Sequence, residues 1–285
     1  MRLPPHPHRP WHRSLSFFPS GGRRPRGATG PRGARTGAPR TTAAVAALVV
    51  LSGTYLLIGP STPQHRTTAA PSTRQAPAGN GRHRGPRPVI VPRTAWKAET
   101  VSTAPGARYA PTVKAAVIHH TSTPNDYDCA SIPRLLRNLY AGHTYGRHWD
   151  DIGYNFLVDA CGTIYEGRAG GVDRPVIGAH TKGFNEGTVG IAAIGTFTEG
   201  TRVPEPMLDA IARLVAWKLD PRGPDPRGTV ALVSTNDESR FPEGTTAVLP
   251  VVGGHTDGYA TRCPGAALYA RLPDISARAA RMQRR

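Results

Sequence analysis

Apolar and polar positions in the last two thirds of the chain follow two different periods. Ser131 sits where a helix N-cap belongs, Pro133 falls in the first turn and Gly142 past the end. Between them Ile132, Leu135, Leu136, Leu139 and Tyr140 recur at i, i+3, i+4, i+7 and i+8, which lines one helix face. Leu208, Ile211, Ala212, Val215 and Leu219 repeat the pattern, with Pro206 at the start and Pro221 as the stop. Shorter runs read as strands. Residues 114–119 and 154–158 predict two buried strands, and Asp159-Ala160-Cys161-Gly162 predicts a turn into Thr163-Ile164-Tyr165, closing a hairpin. Residues 189–194 predict a third buried strand, stopped by Gly195. Residues 221–250 are rich in Gly, Pro and Thr, and the β-prone pieces 229–234 and 245–252 predict a hairpin excursion. Strands interspersed with helices predict α/β layers around one sheet.

The first third is a different material. Residues 1–88 hold 14 Arg, no Lys and no acidic residue, whereas residues 89–285 hold the other 22 basic residues and all 19 acidic ones, 22 − 19 = +3. The formal +17 therefore resides in a Pro/Gly/Arg tail that cannot bury a core. A nucleic-acid domain would concentrate its charge on a folded face with stacking aromatics, so no nucleic-acid partner is expected. No charge falls between Arg40 and His65. As a helix, residues 41–59 would span about 28 Å, close to a hydrocarbon core of about 30 Å. Nine Arg precede this segment. The positive-inside rule thus places residues 1–40 in the cytoplasm and everything after Gly59 outside. Residues 41–59 suit an uncleaved membrane anchor or a cleaved signal peptide, and either one exports residues 60–285. Residues 60–88, with six Pro and five Arg, read as an extended linker. Residues 89–285 suffice for one core-bearing domain, expected to be a monomer.

That domain carries the chemistry. His119 or His120 ends the first strand, and His255 and Cys263 lie eight residues apart. Two imidazoles and one thiolate suit zinc, and three protein ligands leave a fourth position for water, as in hydrolytic sites. Adjacent histidines on a strand point to opposite faces, so only one of the pair can face the metal, and spacing does not choose. Three cysteines in an exported chain leave one unpaired. With Cys263 given to zinc, Cys129 and Cys161 remain for a disulfide. Closing that loop of about 33 residues is worth about 3–4 kcal/mol in the chain-entropy account.

Five segments then occur in order: Ile118-His119-His120-Thr121, residues 149–156 (WDDIGYNF), Tyr165-Glu166-Gly167-Arg168, Gly178-Ala179-His180-Thr181, and Gly254-His255 followed by Thr261-Arg262-Cys263-Pro264-Gly265. With Arg93-Thr94-Ala95-Trp96 ahead of them, they resemble the type 2 N-acetylmuramoyl-L-alanine amidases and peptidoglycan recognition proteins over residues 88–275. Gly170-Gly171-Val172-Asp173 and the Cys129/Cys161 pair are most similar to an actinobacterial branch. The resemblance implies an α/β single domain: a central mixed, mostly parallel β-sheet flanked by helices, with a zinc groove on one face. It implies His119, rather than His120, as the zinc ligand with His255 and Cys263. It places Tyr154 and Thr261 as catalytic helpers, and His143, Arg168, His180 and Asn185 along a groove for peptidoglycan or muropeptides. Arg168 would pair with a stem-peptide carboxylate. The implied activity is zinc-dependent hydrolysis of the amide between N-acetylmuramic acid and L-alanine, with zinc polarising the carbonyl and acidifying water. Tyr154, Thr261, His148 and Glu166 all remain open as proton carriers. The alternative is a module that binds peptidoglycan without cutting it. Ala169-Gly170-Gly171 stands where many recognition proteins carry Gly-Trp, and Lys97 replaces a usual Gly. The preferred stem peptide is therefore open.

Overall fold

A computed structural model describes residues 85–101 and 106–284. The Arg-rich tail, residues 41–59 and almost all of the linker lie outside the described residues. Among the described residues, no helix is long and apolar enough to cross a membrane.

In chain order the strands are β1 (Ala115–His120), β2 (Phe156–Val158), β3 (Ile164–Glu166), β4 (Thr188–Ala193), β5 (Thr229–Val233), β6 (Thr246–Pro250) and β7 (Val252–Gly254). The main sheet has the order β3-β2-β4-β1-β7. β2, β4, β1 and β7 run parallel and β3 is antiparallel to β2, so the expected mixed, mostly parallel sheet is present. β5 and β6 form the separate hairpin anticipated within residues 221–250. The helices are α1 (Ile132–Ala141), α2 (Glu205–Lys218), the single turns α3 (His255–Gly258) and α4 (Ala266–Tyr269), and α5 (Leu272–Met282).

The sheet is covered on both faces. Ala116 and Ile118 of β1, Phe156 and Val158 of β2, and Val189 and Ile191 of β4 pack with α2 and α5 residues such as Leu208, Ile211, Val215 and Ile275. On the other face Leu157, Ala192 and Ile194 pack with Ile132, Leu136 and Tyr140 of α1 and with Trp96. The predicted apolar stripes of α1 and α2 are the faces that do this packing. α2 ends at Lys218 because Leu219 turns extended, with ψ 137°. Pro221 follows, and it biases the residue before it away from helix as well.

Several local expectations shift. Ser131 does not cap α1 with its side chain; its hydroxyl donates to the Asp128 carbonyl at 2.7 Å. Gly142 keeps right-handed φ, −61°, and the chain winds on through a π turn, Gly142–Gly146, instead of stopping. Residues 154 and 155 precede β2 rather than belong to it. Their carbonyls still accept from Arg168 and Gly167 N–H, and the Asn155 side chain replaces ladder bonds by accepting from Gly190 N–H and donating to the Val176 carbonyl. The 245–252 piece divides into two strands. Thr246–Pro250 pairs with β5, and from Val252 the chain crosses to the edge of the main sheet beside β1. An alternating pattern cannot report a change of pairing partner. α5 was not among the predicted elements. Its buried face is largely Ser276, Ala279 and Ala280, which blurs the apolar period. Cys129 and Cys161 are bonded as expected, tying the turn before α1 to the β2–β3 turn, while Cys263 is free and buried.

Candidate metal centre

The centre lies at the carboxyl ends of β1 and β7, where open α/β sheets leave a crevice. The parallel register pairs Ile118 with Gly254, so one step further His119 and His255 leave neighbouring strands side by side. Their ring centroids are 4.5 Å apart. The Asp257 carboxylate accepts the Gly254 N–H at 2.7 Å and so starts the α3 turn that holds His255. Cys263 returns from the loop after α3, with its carbonyl accepting the Thr256 N–H at 3.0 Å. Next to it Gly265 has φ 91°, and a Cβ there would fall 2.1 Å from the Phe197 carbonyl oxygen. Glycine thus lets the loop pass close enough to bring the thiol in.

Donor atoms of His119, His255 and Cys263 all lie within 4.8 Å of one another. Cys263 Sγ is 3.7 Å from His119 Nδ1. Ordinary zinc bond lengths in a tetrahedral arrangement put nitrogen and sulfur about 3.6 Å apart, so the donor set fits the ion. His120 takes no part through its ring, whose Nε2 lies 3.1 Å from Ser122 Oγ. Its backbone N–H donates to Cys263 Sγ at 3.3 Å, a contact that favours a thiolate.

The electrostatics suit neutral imidazoles. Burial, then the surrounding imidazoles led by His180, holds His119 well below the usual histidine range. Burial and then His120 bring His255 down to about 4. Burial pushes the Cys263 thiol up to about 12, opposed by the His120 N–H, so without metal it keeps its proton and zinc binding must displace it.

Tyr154 packs beside the triad, its ring centroid 5.2 Å from that of His119. Burial and then the Cys263 sulfur push its phenol up, which keeps it a proton donor at neutral pH. Thr261 Oγ1 accepts the Cys263 N–H at 3.2 Å, which leaves its own O–H to donate. Glu166 is remote. It pairs with Phe156, which pairs with Ile191, which pairs with Ile118, three strand spacings or about 14 Å away. Its carboxylate accepts the Arg93 N–H at 3.2 Å instead. His148 is exposed, with a left-handed φ of 57°.

The expected groove residues fall into two groups. His143 and Asn185 hold loops. His143 Nδ1 accepts the Gly153 N–H at 3.1 Å with its ring 4.7 Å from Trp149, and Asn185 Oδ1 accepts the N–H groups of His180 and Thr181 at 2.8 and 2.9 Å. His180 is buried behind His119, 3.2 Å from its Nε2. The Arg168 guanidinium donates to the Ile152 carbonyl at 3.3 Å, and burial lowers its pKa. Beside the triad an open groove of about 300 Å³ is walled by Arg147, Trp149, His180, Lys182, His255 and Tyr259, among others. Sequence reading gave no role to four of these. Trp149 opens one of the quoted segments, and Tyr259 falls in the stretch between Gly254-His255 and Thr261. Arg147 and Lys182 carried no signal beyond charge. Lys182 is paired with Glu238, whereas the Arg147 guanidinium lies over the Trp149 ring at 5.2 Å with no carboxylate in ion-pair range among the described residues.

The N-acetylmuramoyl-L-alanine amidase family matches residues 109–266, 158 of the 285 positions and more than half of the chain. The chain belongs to this family. The matched amidase region contains His119, Tyr154, His255 and Cys263. One peptidoglycan-recognition protein of Drosophila melanogaster is 32% identical over 176 residues, 62% of this chain and 81% of that protein. Another from the same organism, peptidoglycan-recognition protein LE, is 42% identical over 109 residues, 38% of this chain but only 30% of its own length. The solved structure of protein LE in complex with tracheal cytotoxin, a monomeric diaminopimelic acid-type peptidoglycan, has a TM-score of 0.50 at 30% identity, over 65% of this chain and 92% of that one. The amidase-family fold thus accounts for the sheet, the flanking helices and the crevice at the strand ends.

Proposed function

We propose that this protein is an exported, zinc-dependent N-acetylmuramoyl-L-alanine amidase that cleaves the amide between the lactyl group of N-acetylmuramic acid and the stem peptide's L-alanine. The observation that carries this reading is the convergence of His119, His255 and Cys263 beside an open groove. Binding of peptidoglycan fragments by the family is supported by the complex of protein LE with a muropeptide. A complete donor triad favours cleavage over recognition alone. Residues 41–59, as anchor or signal, would export the domain to the outer face of the membrane or to the wall.

Zinc held by the triad would supply Lewis acidity and acidified water at neutral pH. The chain's own groups do the rest. The Tyr154 phenol, kept protonated by burial, donates to the carbonyl oxygen as negative charge builds there. Thr261 O–H would assist from the Cys263 side, and with Glu166 remote and His148 exposed, Tyr154 and Thr261 are the carriers we favour for the proton that goes to the leaving amine. Arg147, on the groove wall with no carboxylate in ion-pair range among the described residues, and Arg168 would supply cations for the stem-peptide carboxylates. The test is incubation of the full chain with purified peptidoglycan, followed by mass analysis of products. Release of peptides with free L-alanine amino termini, abolished by chelator and restored by zinc, is expected. Binding without release supports the recognition reading, and release that persists in chelator rules out the metal.

A further inference from the structure

His180 was expected along the substrate groove, yet both of its ring nitrogens face side chains of the protein. Nδ1 lies 3.2 Å from His119 Nε2 and 3.1 Å from Thr181 Oγ1. Nε2 lies 3.4 Å from Thr188 Oγ1, whose hydroxyl is 2.5 Å from the Phe184 carbonyl oxygen. The fold makes room for this ring. A Cβ at Gly190 on β4 would fall 2.3 Å from His180 Cγ. Asn185 clamps the backbone at His180 and Thr181. The residue is only 6% exposed, so although it borders the groove it has little surface to offer a substrate.

Hydrogen-bond bookkeeping then allows one arrangement of protons. Cys263 faces His119 Nδ1, so that nitrogen is the one presented to the metal position. A neutral imidazole that gives Nδ1 to a metal carries its proton on Nε2. His119 Nε2–H therefore donates to His180 Nδ1. His180, accepting there, keeps its proton on Nε2 and donates it to Thr188 Oγ1. The Thr188 hydroxyl passes its own hydrogen to the Phe184 carbonyl, where the chain ends on backbone.

We propose that His180 is a positioning residue for the metal centre: an imidazole acceptor that fixes the ring orientation and tautomer of His119, itself held by Thr188 and seated on Gly190. It takes the place commonly filled by a carboxylate or carbonyl behind a metal-bound histidine. The proposal rests on the zinc reading above and deepens it.

The experiment measures zinc affinity of the full chain by chelator competition, together with the absorption spectrum of the cobalt-substituted protein, for wild type, His180→Leu, His180→Asn and Thr188→Val. Asn Oδ1 can stand where His180 Nδ1 stands; Leu fills space without accepting. The Leu variant should lose about 10- to 100-fold in zinc affinity and change the cobalt spectrum. The Asn variant should recover most of the affinity, and Thr188→Val should weaken it less than Leu does. Wild-type affinity in His180→Leu would overturn the proposal. So would equal loss in the Leu and Asn variants when both are folded, since the ring would then only fill space. Should His180→Leu not fold, Thr188→Val decides, and unchanged affinity there overturns the relay. A wild-type chain that binds no zinc overturns the proposal and the zinc reading together, whereas failure in the variants alone leaves the zinc reading standing.

Discussion

The two faces of one sheet are built to different ends. Toward α2 and α5, alternate positions of β1 and β4 are Ala116, Ile118, Val189 and Ile191, all buried in one apolar cluster. Toward the centre, the intervening positions are Val117, His119, Thr188, Gly190 and Ala192. The β4 residues there are small or hydroxylated, and the space they leave holds the His180 ring over Gly190. On the first face large side chains fill volume. On the second, side chains are kept small so that imidazoles can be oriented. β1 and β4 thus give one side wholly to packing and share the other, one residue out of phase, between the metal centre and the packing of Ala192 beneath α1.

If the faces are separable, changes to each should leave the other's property alone. Cys263→Ala should have the largest effect, abolishing zinc binding and peptide release together; a variant retaining full activity would remove Cys263 from the centre. Tyr154→Phe should keep zinc but slow turnover by about one to three orders of magnitude, the cost of losing one oxyanion donor. An unchanged rate would take the phenol out of the reaction. On the opposite face, Ile191→Ala should destabilise the fold by about 2–5 kcal/mol in denaturant titrations, yet bind zinc as wild type does wherever it is folded. Weakened zinc affinity in the folded variant would show the faces to be coupled.

The smallest expected effect is on pH dependence. Burial, then the charge of Arg147, brings His143 down to about 4. An unfolded histidine titrates near 6.5. As pH falls below about 6.5 the unfolded chain takes up this proton first, so native stability declines until about pH 4 and the contribution is level below that. His143→Asn keeps an acceptor for the Gly153 N–H and removes the titration. Denaturation curves between pH 7 and 4.5 should therefore be flatter for the variant; parallel curves would exclude His143 as a source of the decline.

Much of the fold was legible because it is written in local periods. α1, α2, β1, β4 and the β5–β6 hairpin all lie within a few residues of their predicted places. β7 and α5 were missed, one because it changes pairing partner without changing pattern, the other because alanines and a serine blur its stripe. At the centre, the residue types and spacing pointed to zinc, and the ordered segments pointed to His119. The groove walls Arg147 and Lys182 were not legible, since an isolated charge reads as a solvated one until its neighbours are known.

By itself the sequence determined an α/β domain, an unpaired thiol and a zinc-suited set of histidines and cysteine, because element type and ligand chemistry are properties of residues and their spacing. Only the tertiary structure decided which nitrogen of His119 faces Cys263, which ring stands behind it, and how far Glu166 lies from the reaction. Those depend on the register between strands far apart in the chain, and a parallel ladder sets that register through contacts no local pattern contains.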